Sequence, residues 1–453
     1  MDNTMKSVAF HNLGCKVNGY EMDYMQQNLQ ERGYIVVPFD TKADIYIINT
    51  CSVTNMADRK SRQMIHRAKK MNPDAVVVAV GCYVQTSTEE VLQDLSIDIA
   101  IGNNRKKDLV EIIEEYLRRS EQEGESFTIE EKKSFSERNI IDINHTDEYE
   151  DMQLSHTAEH TRAFLKVQDG CNQFCSYCII PYARGRIRYR AMEEILKEVR
   201  ELTANGYQEI VLTGIHLSSY GNDFTKSRLG ELIRAVNAVE GVRRIRLGSL
   251  EPRIITEEFA KELSQCEKLC PHFHLSLQSG CDSVLQRMNR KYTTGEYYEK
   301  VEILRKFFDK PAITTDVIVG FPQETEEEFT QTVEFLKKIR FYETHIFKYS
   351  KRKGTPAAIM QGQIPEEVKS VRSDRLSELH TQNSHAFRES YIGKQVEYLL
   401  EEEMVIDGVR YQTGYTREYI RIALKTQEDL SGTIQKGVIR EFLKPDILLV
   451  FSS

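Results

Sequence analysis

Between residues 7 and 102 the apolar side chains gather into short continuous runs, and between the runs they recur every three or four positions. The runs at 7–13, 34–39, 43–49, 75–80 and 97–102 predict strands, and the stretches 19–32, 57–71 and 105–119 predict amphipathic helices. Uninterrupted apolar strands alternating with helices indicate a parallel sheet covered on both faces. A small doubly wound α/β domain over residues 1–118 is the expectation. From 119 to 156 the chain turns polar and acidic, with Glu121, Glu123, Glu125, Glu130 and Glu131, and reads as a linker.

The rhythm then changes. Strand-like runs recur at 163–168, 209–215, 244–249, 272–277, 312–321 and 344–350, separated by helical stretches that include 191–204, 256–263, 294–308 and 325–339. Six β-α units predict a partial (β/α)6 barrel over 157–388, with its chemistry just past the C-terminal strand ends. After a charged helical stretch at 365–390, residues 389–453 alternate as strands do (Val396, Tyr398, Leu400; Ile420, Ile422, Leu424), with turns at Asp407-Gly408 and Ser431-Gly432. A small antiparallel β-barrel is expected there.

The length of 453 residues agrees with about three domains. The longest apolar stretches, such as 75–80, fall far short of the ~20 residues that span a bilayer, and residues 1–10 hold no apolar signal core. No membrane association and a cytoplasmic location are expected. The net charge of -8, from 61 basic and 69 acidic side chains, argues against a surface coated in positive charge. Nine cysteines are an odd total, and a reducing compartment makes a disulfide framework implausible. Their role is therefore packing, metal ligation or nucleophilic chemistry.

Cys171, Cys175 and Cys178 form a C-x3-C-x2-C run that begins just after the first strand of the barrel section. Three thiolates so close together suit one iron-sulfur cluster, and three ligands leave one iron of a four-iron cluster open. Zinc is the rival, but structural zinc takes four ligands and no fourth is adjacent. Cys15, Cys51 and Cys82 are far apart in sequence, yet each follows a predicted strand of the first domain. The C-terminal strand ends of an open parallel sheet face one crevice, so these three thiols are expected to converge. Gly14 and Gly81 would let the backbone approach a bulky group. Cys266, Cys270 and Cys281 match no ligand pattern and read as ordinary packed or surface thiols.

The three-cysteine spacing, with Tyr177 before the last cysteine, resembles the signature of the radical S-adenosylmethionine (SAM) superfamily. The likeness extends along nearly the whole chain. It takes in Leu13-Gly14-Cys15-Lys16-Val17-Asn18, Asn49-Thr50-Cys51-Ser52-Val53-Thr54, Gly81-Cys82, Pro181-Tyr182-Ala183-Arg184-Gly185-Arg186, Leu212-Thr213-Gly214-Ile215 and a C-terminal barrel similar to the TRAM domain. Together these resemble the methylthiotransferase family of radical SAM enzymes. The resemblance implies two [4Fe-4S] clusters, one on Cys171, Cys175 and Cys178, where SAM is split to a 5′-deoxyadenosyl radical, and one on Cys15, Cys51 and Cys82. It implies SAM contacts at Thr213, Gly214, Ser249 and Glu251, with Gln278 and the segment 316–320 as weaker candidates. No acid stands at Thr213-Gly214-Ile215, where many members of the superfamily place one. The bland reading of each is a polar residue satisfying loop backbone.

Basic residues cluster at Arg59, Lys60, Arg62, Arg67, Lys69 and Lys70, at Arg184, Arg186, Arg188 and Arg190 beside Tyr182 and Tyr189, and at Lys348, Lys351, Arg352 and Lys353. Three local patches and a nucleic-acid-type barrel favour RNA over solvated faces. Around the first cysteine the sequence is most similar to the branch acting on N6-threonylcarbamoyladenosine next to the tRNA anticodon. The resemblance then implies methylthiolation of adenine C2, with a flavodoxin or ferredoxin as electron donor. The isopentenyl-adenosine and ribosomal-protein branches are the alternatives. Outside the enzymes stand a cluster-carrying protein and a non-catalytic RNA-binding module.

Overall fold

The computed structural model describes residues 5–123, 127–157, 161–221 and 227–452. Glu125 of the acidic stretch lies outside them. The chain divides into two compact units, one of Met1–Ala158, Gln168–Arg190 and Ser350–Ala358, the other of Glu159–Val167, Ala191–Tyr349 and Ile359–Ser453.

In the first unit β1 (Ser7–Asn12), α1 (Lys16–Glu31), β2 (Ile35–Val37), β3 (Ile45–Thr50), α2 (Asn55–Met71), β4 (Val76–Gly81), the short α3 (Cys82–Thr86) and α4 (Thr88–Gln93), β5 (Ile99–Ile101) and α5 (Leu109–Glu123) follow in order. The strands form one parallel sheet in the order β2-β1-β3-β4-β5. Strand alternation splits its residues between two cores. Val8, Ile45, Ile47, Val78, Val80, Ile99 and Ile101 meet Met25 and Leu29 of α1 and Ile113 and Tyr116 of α5. Ala9, Tyr46, Ile48, Val77, Ala79 and Ala100 meet Ile65 and Ala68 of α2. β1, β3, β4 and β5 are thus apolar on both faces.

The stretch read as a linker carries a helix, α6 (Ile129–Glu137), started by a Thr128–Glu131 capping box. Its Phe135 is buried edge-on to Tyr116, at a centroid distance of 5.5 Å. Lys132 pairs with Asp98 at 2.6 Å and Ser136 accepts from Ala100 N at 3.0 Å, so the helix docks through all three side chains.

In the second unit the parallel strands are β6 (Ala163–Asp169, of which 168 and 169 belong to the first unit), β8 (Glu209–Gly214), β9 (Arg244–Leu247), β10 (His272–His274), β11 (Ala312–Val319) and β12 (Glu343–Lys348). Single bridges at Ile245–Leu269, Leu250–Leu275 and Gln278–Val317 carry the sheet across its thin places. The helices between them include α8 (Met192–Ala204), α9 (Leu229–Asn237), α10 (Glu257–Ser264), α11 (Asp282–Arg287), α12 (Thr294–Phe307) and α13 (Glu326–Ile339). This is the partial (β/α)6 barrel. In the first unit, α7 (Ile180–Arg184) leads to β7 (Arg188–Tyr189), which pairs antiparallel with Gln168 and Asp169.

Helix α14 (Glu366–Glu389) leads to a closed barrel of β13 (Gln395–Ile406), β14 (Val409–Thr416), β15 (Arg421–Leu424), β16 (Ile434–Lys444) and β17 (Ile447–Ser452). Asp407 and Gly408, at φ 50° and 78°, make the tight β13–β14 hairpin. The pairings are antiparallel except β15–β17, which is parallel and completes the closure. Buried Arg246 pins this barrel to the strands of the larger one: it pairs with buried Glu209 at 2.7 Å and donates to the carbonyls of Thr416 and Arg417.

Candidate functional site

The register of the first sheet builds one cysteine triad. Asn12 pairs with Asn49, and Thr50 with Gly81, so the loops carrying Cys15, Cys51 and Cys82 leave one edge together. Gly14 holds φ +113°, and a Cβ there would lie 3.2 Å from Cys51 Sγ. Gly81 holds φ +99°, and a Cβ there would press on Asn49 Oδ1 at 2.8 Å. Both turns need glycine. Asn18 ties the loops by donating to the carbonyls of Leu13 and Thr50, and Asn49 donates to the carbonyl of Asn18. Cys15 caps the N-terminus of α1, where the helix dipole favours an anionic group. Cys51 and Cys82 are buried while Cys15 is exposed, so the triad opens to one side. Asn103 Nδ2 donates to Cys82 Sγ at 3.5 Å. Burial and the neighbouring Cys82 push the Cys51 thiol up to about 11. A metal that binds thiolate must displace that proton, and a multinuclear metal centre does so readily.

The second triad lies on one loop of the same unit. Gly170 (φ +73°) and Gly185 (φ +70°) cinch it, with Cys171 N donating to Gly185 O at 3.0 Å. Cys178 N donates to Cys175 O, and Gln173 N donates to Cys171 Sγ at 3.4 Å. Phe174 turns back at φ 49°, with the Arg186 guanidinium 4.5 Å from its ring centre. A backbone N–H aimed at the Cys171 sulfur and three thiols within eight residues fit an iron-sulfur cluster with one open iron.

The SAM candidates of the second unit lie along the C-terminal ends of its strands. Thr213 and Gly214 close β8, and Gly248, next to Ser249, donates to Leu212 O at 2.8 Å. Glu251 accepts from the backbone N and the guanidinium of Arg253, so its oxygens already serve the loop. Gln278, at φ 72°, donates its backbone N to Asp316 O at 2.8 Å. Asp316 meets His274 at 3.2 Å, and His345 lies opposite it on β12. The ligand atoms of these three lie within 4.8 Å of one another.

Residues 165–336 match the model of the Radical SAM superfamily, and residues 7–102 match that of Uncharacterized protein family UPF0004. The Bacillus subtilis protein named threonylcarbamoyladenosine tRNA methylthiotransferase MtaB is 41% identical over 434 residues, 95% of this chain and 93% of that protein. The Carboxydothermus hydrogenoformans protein named tRNA-2-methylthio-N(6)-dimethylallyladenosine synthase is 35% identical over 94% of this chain and 95% of its own length. The chain belongs to the radical SAM methylthiotransferase family. Among solved structures, the radical SAM methyltransferase TsrM from Kitasatospora setae shares the fold, with a TM-score of 0.55 at 15% identity over 79% of this chain and 77% of that one.

As in other radical SAM proteins, SAM and [4Fe-4S] clusters are the cofactors of this methylthiotransferase family. One group of residues takes a different role from the one its sequence suggests. Arg184, Arg188 and Arg190 form no RNA-facing patch: they are 0%, 3% and 2% exposed and pair with Glu21, Asp169 and Asp151. Alternation along a strand-like run implied a basic face, but these guanidiniums turn inward, Arg184 and Arg188 to the buried carboxylates of Glu21 and Asp169 and Arg190 to the exposed Asp151. Arg352 of the third patch is likewise buried, on Asp58 at 2.6 Å. The α2 patch keeps Arg59, Lys60, Arg67 and Lys70 exposed. Pattern reading also passed over Glu21 and Lys106, which meet beneath the first triad. The only signal in their case was a charged residue at an apolar-facing helix position.

Proposed function

We propose that this chain is a radical SAM tRNA methylthiotransferase that converts N6-threonylcarbamoyladenosine next to the anticodon to its 2-methylthio derivative. The observation that carries the reading is the presence of two cysteine triads in one compact unit, one on strand-end loops and one on a tight loop. The 41% identity to a protein named for this reaction supports the substrate over the isopentenyl one, whose namesake stands at 35%. When bound, the two [4Fe-4S] clusters and SAM would supply the radical chemistry and the methyl group, and the second cluster would hold the sulfur.

The chain's own residues do the rest. Cys171, Cys175 and Cys178 would hold the SAM-cleaving cluster and leave its fourth iron open to SAM. Cys15, Cys51 and Cys82 hold the second, with Cys15 on the accessible side. Thr213, Gly214, Ser249, Glu251 and Gln278 line the SAM side of the barrel. The three parts 1–118, 157–388 and 389–453 act as cluster domain, radical domain and TRAM-like RNA-contacting domain, joined by 119–156. The tRNA anticodon stem-loop is the partner, and a single-stranded loop lets the base leave its stack cheaply. A flavodoxin or ferredoxin supplies electrons in the cytoplasm. Among the described residues no helix is long and apolar enough to cross a membrane.

Iron content tests the clusters: about eight atoms per chain, falling by about half in Cys171→Ala. One zinc per chain refutes them. Mass analysis of tRNA nucleosides from cells with and without the gene tests the substrate. Unchanged 2-methylthio-threonylcarbamoyladenosine with lost 2-methylthio-isopentenyladenosine would move the chain to the other branch.

A further inference from the structure

Beneath the Cys15/Cys51/Cys82 triad lies a buried charged set. Glu21 accepts from Arg184 Nη2 at 2.9 Å and from Lys106 Nζ. Asp169 meets Arg184 Nη1, which Glu21 shares, at 3.3 Å and Arg188 Nη2 at 3.8 Å. All five side chains are at most 3% exposed. Within this set three cations share two carboxylates. Arg184 and Lys106 both reach the loops that carry the triad. Arg184 Nη2 also donates to Asn18 Oδ1 at 2.6 Å, the same atom that faces Cys15 Sγ at 3.8 Å. Lys106 Nζ lies 3.3 Å from the place a Cβ would occupy on Gly81, one residue before Cys82. Arg184 Nε is buried without a hydrogen-bond partner. An uncompensated buried cation costs several kcal/mol unless an anion meets it. Three thiolates around a cluster supply that anion.

We infer that Arg184 and Lys106, held by Glu21, are positioning residues that set the reduction potential of the centre on Cys15, Cys51 and Cys82. The inference rests on the reading that those cysteines hold a cluster. A cation fixed beside a cluster stabilises the reduced form, which carries one more negative charge, and so raises the potential; a carboxylate lowers it. Burial removes water and salt screening, so the effect survives high ionic strength. The geometry also joins the two triads. Asp169 stands two residues before Cys171 and Arg184 ends the helix that follows Cys178, so the charge that faces one triad is anchored beside the loop of the other.

The experiment uses the full chain with Cys171, Cys175 and Cys178 changed to Ala, reconstituted with iron and sulfide, and follows the remaining centre by EPR during a redox titration. Lys106→Met is expected to lower the midpoint by about 59 mV, a tenfold change in a one-electron equilibrium. Glu21→Gln is expected to raise it. The charge-keeping Lys106→Arg and Arg184→Lys should stay near the parent value. A role confined to packing would move the removing and keeping variants alike, so equal shifts, shifts of one sign, or no shift overturn the inference. Arg184→Met is the most direct variant, and if it does not accumulate, Lys106 and Glu21 decide the matter. Iron analysis separates the two levels. About four irons in the parent with unmoved potentials defeats the charge inference alone, and no iron in the parent defeats the cluster reading as well.

Discussion

Gly170 gives the sharpest test of how the second triad is held. Its φ is +73°, and a Cβ there would sit 1.8 Å from Arg186 O and 2.8 Å from Gly185 O. Ordinary contact begins near 3.4 Å, so Gly170→Ala must open this crossing by about 1.6 Å. The hydrogen bond from Cys171 N to Gly185 O runs through the same place and is lost. Left-handed backbone costs an alanine roughly 1–2 kcal/mol and the bond about 1 kcal/mol more, together about 2–3 kcal/mol. That lowers the population of the ordered loop roughly 30- to 150-fold. Reconstituted Gly170→Ala should therefore hold about four irons rather than about eight and make no 5′-deoxyadenosine from SAM and dithionite. Gly206→Ala is the control: φ is +94° there too, but nothing lies within 4 Å of the added Cβ. It should keep its iron. Full iron and full 5′-deoxyadenosine in Gly170→Ala would refute the account.

Four further outcomes follow from the same geometry. Glu209→Ala strands buried Arg246, and its urea unfolding should show a loss of about 3–5 kcal/mol; an unchanged midpoint contradicts this. Replacing buried Cys266, Cys270 and Cys281 by Ala together should leave iron content unchanged, since none lies in either triad; a loss of iron would make one of them a ligand. Hydrogen bonds from Arg287 and Ser283 hold the Glu328 carboxyl down, from 4.5 to about 2. Its folded value is depressed, so its stabilisation is complete above about pH 4.5 and is lost as pH falls toward 2. The stability gap between the parent and Glu328→Gln should be flat at neutral pH and close below that point; a gap that widens on acidification has the wrong sign. Thr325→Ala removes the capping box of α13 and should lower stability by about 1 kcal/mol in the same urea assay, with iron retained.

Much of the architecture was written in local pattern. The inner strands of the first sheet read as unbroken apolar runs because both of their faces are buried, Val8 against one core and Ala9 against the other. Cys171, Cys175 and Cys178 could be grouped from the sequence because all three stand on one short loop. Cys15, Cys51 and Cys82 were legible through a rule of topology, that parallel strand ends share an edge, and the register of Thr50 with Gly81 is that rule at work. The linker reading of 119–156 had no access to Phe135, whose partners come from another helix.

The arginines of the segment after Cys178 mark where local pattern stops. By sequence they are a basic stripe, since charge and spacing are all that a linear string records. Glu21 lies 163 positions from Arg184, and only the fold brings the two together and takes both out of water. Which residues carry charge, which thiols can act and where the strands run were properties of the chain itself. Whether a charge meets solvent, an RNA phosphate or a buried carboxylate depends on contacts between distant segments, because burial and pairing belong to the packed structure and not to any one stretch of it.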